Sequence, residues 1–224
     1  FRFLLCALPS ASAFTSLSLH DALPIGFAVA GLATVPFAWK WWPRHLSWRV
    51  QALLALTGPG VIYGMMMYVG LSKAPAAYGG VFANGSLPIF TMLLGLFFAG
   101  ERPGPRRVIA VCVIVAGAVM LGWRGMSSGG GDALLPILLF LGASVTLSVY
   151  IFGVRRWGLT PTQALAVVNI PNALAFLPLW YFALPSNMGA AAMDEIVFQA
   201  LFQGLGPGFL AVMLIALTSI HLGP

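Results

Sequence analysis

"QALLALTGPG" at Gln51–Gly60 returns as "QALFQGLGPG" at Gln199–Gly208, 148 residues further on. Each copy reads QAL, four residues, then GPG, and each runs into an apolar stretch that reaches a proline, at Pro75 and Pro224. The meaning of this repeat depends on what separates the copies. The chain has 224 residues, of which 60% are hydrophobic and 7% charged. A soluble domain carries about 25% charged residues, so this chain has too few to cover a water-facing surface and its solvent is the lipid bilayer.

Long runs without Asp, Glu, Lys or Arg locate the crossings. With about 20 apolar residues needed per spanning helix, seven spans are expected, near Gly26–Trp42, Val50–Leu71, Ala76–Ala99, Val108–Trp123, Ala133–Val154, Thr162–Leu184 and Gln203–Leu222. Backbone amides in lipid must be satisfied within the segment, so the spans are helices. The expected class is therefore all-α, a polytopic membrane helical bundle.

The loops set the orientation. Lys40, Arg44, Arg49, Arg102, Arg106, Arg107, Arg155 and Arg156 fall on one side, against Lys73 and Arg124 on the other. Positive loops stay inside, which places the eight in the cytoplasm; the expected location is a bacterial inner membrane. The net charge of +6 sits in short clusters between apolar runs, a pattern of topology signals and not of a nucleic-acid surface. The tryptophans fall mostly near span ends, as an interfacial belt should.

The two motif copies open the second and the seventh span. Five spans apart is an odd number, so they face opposite ways across the membrane. Arg49 precedes the first copy, and Asp194 with Glu195 precedes the second. Inverted repeats of this kind build many secondary transporters, with the substrate site near the midplane between the halves. The first half continues for two spans past Pro75, so a second half ending at Pro224 lacks two, and the expected whole has about ten.

"APAAYGGVFANGSLPIFTMLLGLFFAGERPGPRRVIAVCVIVAGAVMLG" (Ala74–Gly122) resembles the EamA-type members of the drug/metabolite transporter superfamily. The matching features are the small residues Ala76, Ala77, Gly79 and Gly80, mid-span Pro88, Glu101 closing the span, a short basic loop and the ending "AGAVMLG". "LFQGLGPGFLAVMLIALTSIHLGP" (Leu201–Pro224) resembles that family's eighth span. The resemblance implies two inverted five-helix repeats that export amino acids or other small metabolites. On that footing residues 26–124 form a first repeat without its first span, and residues 133–224 a second repeat without its last two.

Residues 1–25 stand apart. "FRFLLCALPSASAF" imitates a signal peptide, although its apolar core is short. "LSLHDALPI" (Leu17–Ile25) is also the translation of a common sequencing-adapter sequence, and the segment up to Ile25 is expected to be non-native. His20–Asp21 therefore does not stand as an intramembrane relay.

The candidate cavity residues are Tyr63, Met67, Asn84, Ser86, Pro88, Ser148 and Asn169. Tyr63, Met67 and Tyr68 can form one amphipathic wall. Asn84 and Ser86 make the most polar patch of the third span, where Pro88 is expected to kink the helix. Asn169 and Asn172 share a helix face and serve as cavity lining or interhelical glue, with Pro171 and Pro178 expected to break that helix. Ser144 and Ser148 share a face suited to close packing. Gly60–Gly64 and Gly204–Gly208 suggest a paired contact between the repeats. Glu101 beside Arg102 reads as an interfacial ion pair.

No cofactor and no metal site is expected: His20, His45 and His221 lack ligand spacing, and Cys6 and Cys112 lack a motif. The implied partners are a small-molecule substrate and the lipid bilayer. Two competing classes remain. One is an intramembrane serine protease of rhomboid type, on "GASV" (Gly142–Val145) with His221, although the glycine expected after the serine is missing. The other is a non-transporting membrane assembly subunit.

Overall fold

A computed structural model describes residues 19–127, 134–183 and 193–221. The signal-like stretch and Leu17–Ser18 lie outside the described residues, as do the side chains of His20, Asp21 and His221. Among the described residues every regular element is helical. In chain order they are α1 (Leu19–Thr34), α2 (Ala38–Trp41), α3 (Trp48–Thr57), α4 (Val61–Leu71), α5 (Ala76–Tyr78), α6 (Leu87–Ala99), α7 (Pro105–Ser127), α8 (Leu134–Arg156), α9 (Pro161–Ala183), α10 (Met193–Gln203) and α11 (Val212–His221). π-helical segments at Gly79–Asn84 and Gly204–Ala211 join α5 to α6 and α10 to α11.

Five stretches among the described residues are long and apolar enough to cross a membrane: Trp48–Leu71, Ala76–Ala99, Pro105–Trp123, Leu134–Arg156 and Ile196–Thr218. They fall on five of the seven expected spans. The first expected span is a shorter apolar helix, Ile25–Trp41. The sixth is α9, which has 23 residues and carries Asn169 and Asn172 in its middle.

The molecule is built around α8 and α9. α8 lies against α3, α4, α6 and α11, and α9 lies against α1, α3 and α11. Lipid offers no hydrophobic gain for helix association, so close packing and hydrogen bonds must hold the bundle. Leu54 of α3, Leu147, Tyr150 and Val154 of α8, and Val167 and Val168 of α9 share one buried cluster. A second cluster gathers Phe82 and Ala83 with Ile137 and Phe140 of α8. By contrast α7 presents Ile109, Val113, Val119, Met120 and Trp123 outward, the apolar surface a bilayer requires.

Three features differ from the sequence expectation. The second span is two helices, broken at Gly58–Gly60. Pro171 and Pro178 do not break α9, which is continuous over both. Each proline removes a backbone donor, but α9 packs against α1, α3 and α11, and neighbouring helices sustain such a span. Pro88 sits in the first turn of α6, where its missing N–H would be unpaired in any case. The interruption comes just before it, where the Gly85 N–H reaches five residues back to the Gly80 carbonyl at 2.9 Å.

Where the third span ends, Glu101 does form an ion pair, but not with its neighbour Arg102. Arg155 Nη2 donates to Glu101 Oε1 at 2.7 Å, tying the end of the third span to the end of α8. Both side chains are about a third exposed, so the pair is worth ~0–1 kcal/mol and acts as a local tie.

Candidate functional site

The two GPG copies have the same chemical problem and solve it differently. A proline has no N–H for the carbonyl four residues back. In the first copy Pro59 deprives the Ala55 carbonyl of its helical donor. The helix ends at Thr57 and restarts at Val61, whose N–H has no acceptor of its own in a new first turn. One side chain answers both needs. Asn172 Nδ2 donates to the Ala55 carbonyl at 3.0 Å, and Asn172 Oδ1 accepts from the Val61 N–H at 2.8 Å. Nδ2 also donates to the Val168 carbonyl at 2.8 Å. Asn172 is 6% exposed, and Gly60 leaves room for it: a Cβ on Gly60 would run into the Asn172 carboxamide.

In the second copy the chain stays helical through Pro207 as the π segment Gly204–Ala211. A π turn bonds to the residue five back, which steps over the missing donor. This segment is held from α9 as well. Asn169 Nδ2 donates to the Gly208 carbonyl at 3.0 Å and to Thr34 Oγ1 of α1 at 3.3 Å. Thr34 Oγ1 in turn donates to the Ala30 carbonyl at 2.7 Å. The i, i+3 asparagines on one face of α9 thus hold one motif copy each.

Both copies border one cavity of about 260 Å³. Pro59 and Gly60 of the first copy and Pro207 and Gly208 of the second lie on its wall. α4 contributes Tyr63, Gly64, Met67, Tyr68 and Leu71; α1 contributes Gly26 and Phe27, and α10 contributes Gln203. None of these side chains is charged. The polar groups are the tyrosine hydroxyls, the Gln203 carboxamide and exposed backbone at the two irregular segments. Phe27 is braced by Phe176 of α9, with ring centroids 5.4 Å apart.

Of the seven residues chosen from sequence, the cavity brings together Tyr63 and Met67. Asn169 lies behind the wall, bonded to Gly208. Asn84 and Pro88 are exposed and Ser86 is buried, all at the interruption before α6. Ser148 is wholly buried in α8, as is Ser144, and neither hydroxyl has a hydrogen-bond partner among the described residues. The two G-x-x-x-G pairs do not each make the same contact. Gly60 packs on Asn172, whereas Gly204 and Gly208 pack on Val29 and Ala30 of α1. Gly60, Gly64 and Gly208 nevertheless face the same space. Sequence reasoning missed Phe27, Pro59, Gln203 and Pro207 as wall residues, although the repeated GPG pointed at two of them.

The family model described as the EamA-like transporter family matches residues 10–123, just over half of the chain. The chain belongs to the EamA-like transporter family. The match spans both the first GPG copy and the Ala74–Gly122 stretch that carried the resemblance. This EamA-like chain is also similar to UPF0060 membrane proteins. That of Mycobacterium marinum is 32% identical over 96 residues, 41% of this chain and 83% of the relative. That of Clavibacter sepedonicus is 32% identical over 109 residues, 46% of this chain and 93% of the relative. That of Streptomyces coelicolor is 29% identical over 108 residues, 46% and 92%. A stretch of less than half this chain therefore accounts for 83–93% of each relative. A solved crystal structure, described only as that of a protein, superposes with a TM-score of 0.61 at 21% identity. It covers 93% of this chain and 73% of its own, and shows a shared fold. The EamA-like chain is an integral, multi-pass membrane protein of transporter type.

Proposed function

We propose that this EamA-like protein moves small metabolites of no net charge, such as amino acids, out across a bacterial inner membrane by alternating access around the cavity between Pro59–Gly60 and Pro207–Gly208. The observation that carries this reading is the meeting of both motif copies at one cavity. Irregular backbone at membrane depth is tolerated where it lines a cavity or is buried in protein, and transporters place substrate where broken helices meet. The restart of α4 at Val61 leaves the N–H groups of its first turn without intrahelical acceptors. Val61 is satisfied by Asn172, and the next residues reach the wall at Tyr63. An uncharged lining admits a neutral or zwitterionic solute and gives no partner to an ion, since an unpaired buried charge is expensive. At about 260 Å³ the space suits a small metabolite better than a drug-sized compound, for which pockets run ~300–1,000 Å³. Rocking of the two sides about the breaks at Gly58–Gly60 and Gly204–Ala211 would open the cavity to each face in turn.

The test is flux in proteoliposomes with radiolabelled neutral amino acids. Saturable flux above empty vesicles is expected, and Tyr63→Ala, which removes one of the two tyrosine rings that α4 gives the wall, should raise the half-saturating concentration about tenfold with the protein still folded. Flux no greater than in empty vesicles across a broad panel of neutral metabolites would remove the transport reading. It would favour the assembly-subunit class instead.

A further inference from the structure

We propose that α9 is the coupling strut of the cavity, with Asn169 and Asn172 as positioning residues that make its two walls move together. The inference rests on the transport reading for its purpose, but not for its test.

Asn172 is the acceptor for one side of the Gly58–Gly60 break and the donor for the other. If α3 and α4 pivot about that break, the distance between the Ala55 carbonyl and the Val61 N–H changes. One planar carboxamide cannot follow both. The first wall therefore moves only with a shift of Asn172 and of α9. Asn169, one turn away on the same face, bonds the Gly208 carbonyl of the second wall. It also bonds Thr34, so α1, which packs on the Gly204–Ala211 segment, is fastened to the same point. Both carboxamides are buried, at 1% and 6% exposure, so water does not stand ready to replace a lost bond. α9 is continuous over 23 residues, through Pro171 and Pro178, whereas the first wall is broken at Gly58–Gly60 and the second is a π segment. The continuous element carries the two contacts and the interrupted elements receive them. Coupling through a shared element with discrete bonds is a physical route between two sites.

The experiment reads wall mobility without substrate. Tyr63→Cys reports the first wall and Gln203→Cys the second, each in a background with Cys6 and Cys112 replaced by serine. The rate of modification by a small thiol reagent in membrane vesicles is compared with and without Asn169→Ala. Asn169→Ala breaks bonds to the second wall and α1 only. A coupled cavity changes the modification rate at position 63 as well as at position 203, each by about tenfold, and Asn172→Ala does the converse. A variant that changes only the rate on its own wall, or neither rate, overturns the proposal. If either alanine variant does not fold, Asn169→Ser keeps a short polar group in place and runs the same comparison. Coupled rates in a protein that shows no flux would retain the strut and remove the transport reading.

Discussion

Asn172→Leu is expected to be the most destabilising single change in the bundle, lowering stability by about 2–4 kcal/mol. Leucine is close in size, so the loss is not one of packing volume. It strands the Ala55 carbonyl, which Pro59 cannot serve, and the Val61 N–H, which begins a helix. A buried backbone group without a partner costs ~1–3 kcal/mol, and membrane surroundings reduce the net effect of each lost bond toward about 1 kcal/mol. The cause can be separated from generic damage with a second change. Pro59→Ala returns an N–H within reach of the Ala55 carbonyl, so the double variant should recover part of the loss. Thermal unfolding in detergent measures all three variants. Strict additivity of Asn172→Leu and Pro59→Ala would show that the carboxamide does not stand in for the missing proline N–H.

The second large effect falls on the other motif copy. A Cβ on Gly204 would lie 2.5 Å from the Cβ of Val29, an atom fixed to the α1 backbone. Gly204→Ala therefore has to push α1 off the π segment, at a cost of about 1–3 kcal/mol. Gly206, two residues along the same segment, has open space where its Cβ would be. Gly206→Ala should be neutral or mildly stabilising, since alanine is the better helix former by ~1 kcal/mol. The pair is compared by melting temperature and by the yield of monodisperse protein. Equal behaviour of the two variants would contradict the described contact between α1 and the π segment.

The spans were legible because lipid excludes charge. Uncharged runs located four of the five long apolar stretches to within three residues at each end, while the last begins seven residues before its expected start. Tyr63 and Met67 stand four apart on an apolar helix, and both border the same cavity. The breaks were not legible. "GPG" is spelled identically at residues 58–60 and 206–208, yet one copy ends a helix and the other makes a π turn. What distinguishes them is the partner across the bundle. Asn172 stands 111 residues from Val61 and 117 from Ala55, a pairing that no local pattern encodes. Pro171 and Pro178 misled for the same reason, since packing of α9 against its neighbours decides their effect. Gln203 was hidden because a glutamine at a helix end resembles any interfacial polar residue until the helix beside it is known.

The repeat acquires a further meaning from the relatives. A UPF0060 membrane protein is matched over nearly its whole length by less than half of this chain. A unit of that size exists as a protein in its own right, which fits a chain that carries "QAL…GPG" twice and brings both copies to one cavity.

If this cavity is the transport path, filling it must stop transport. Tyr63→Cys protein lacking Cys6 and Cys112 is reconstituted, and flux of radiolabelled neutral amino acids is followed before and after a bulky maleimide is coupled to the introduced thiol. The account predicts that flux falls to the level of empty vesicles in proportion to the fraction labelled. Undiminished flux through fully labelled protein would contradict it.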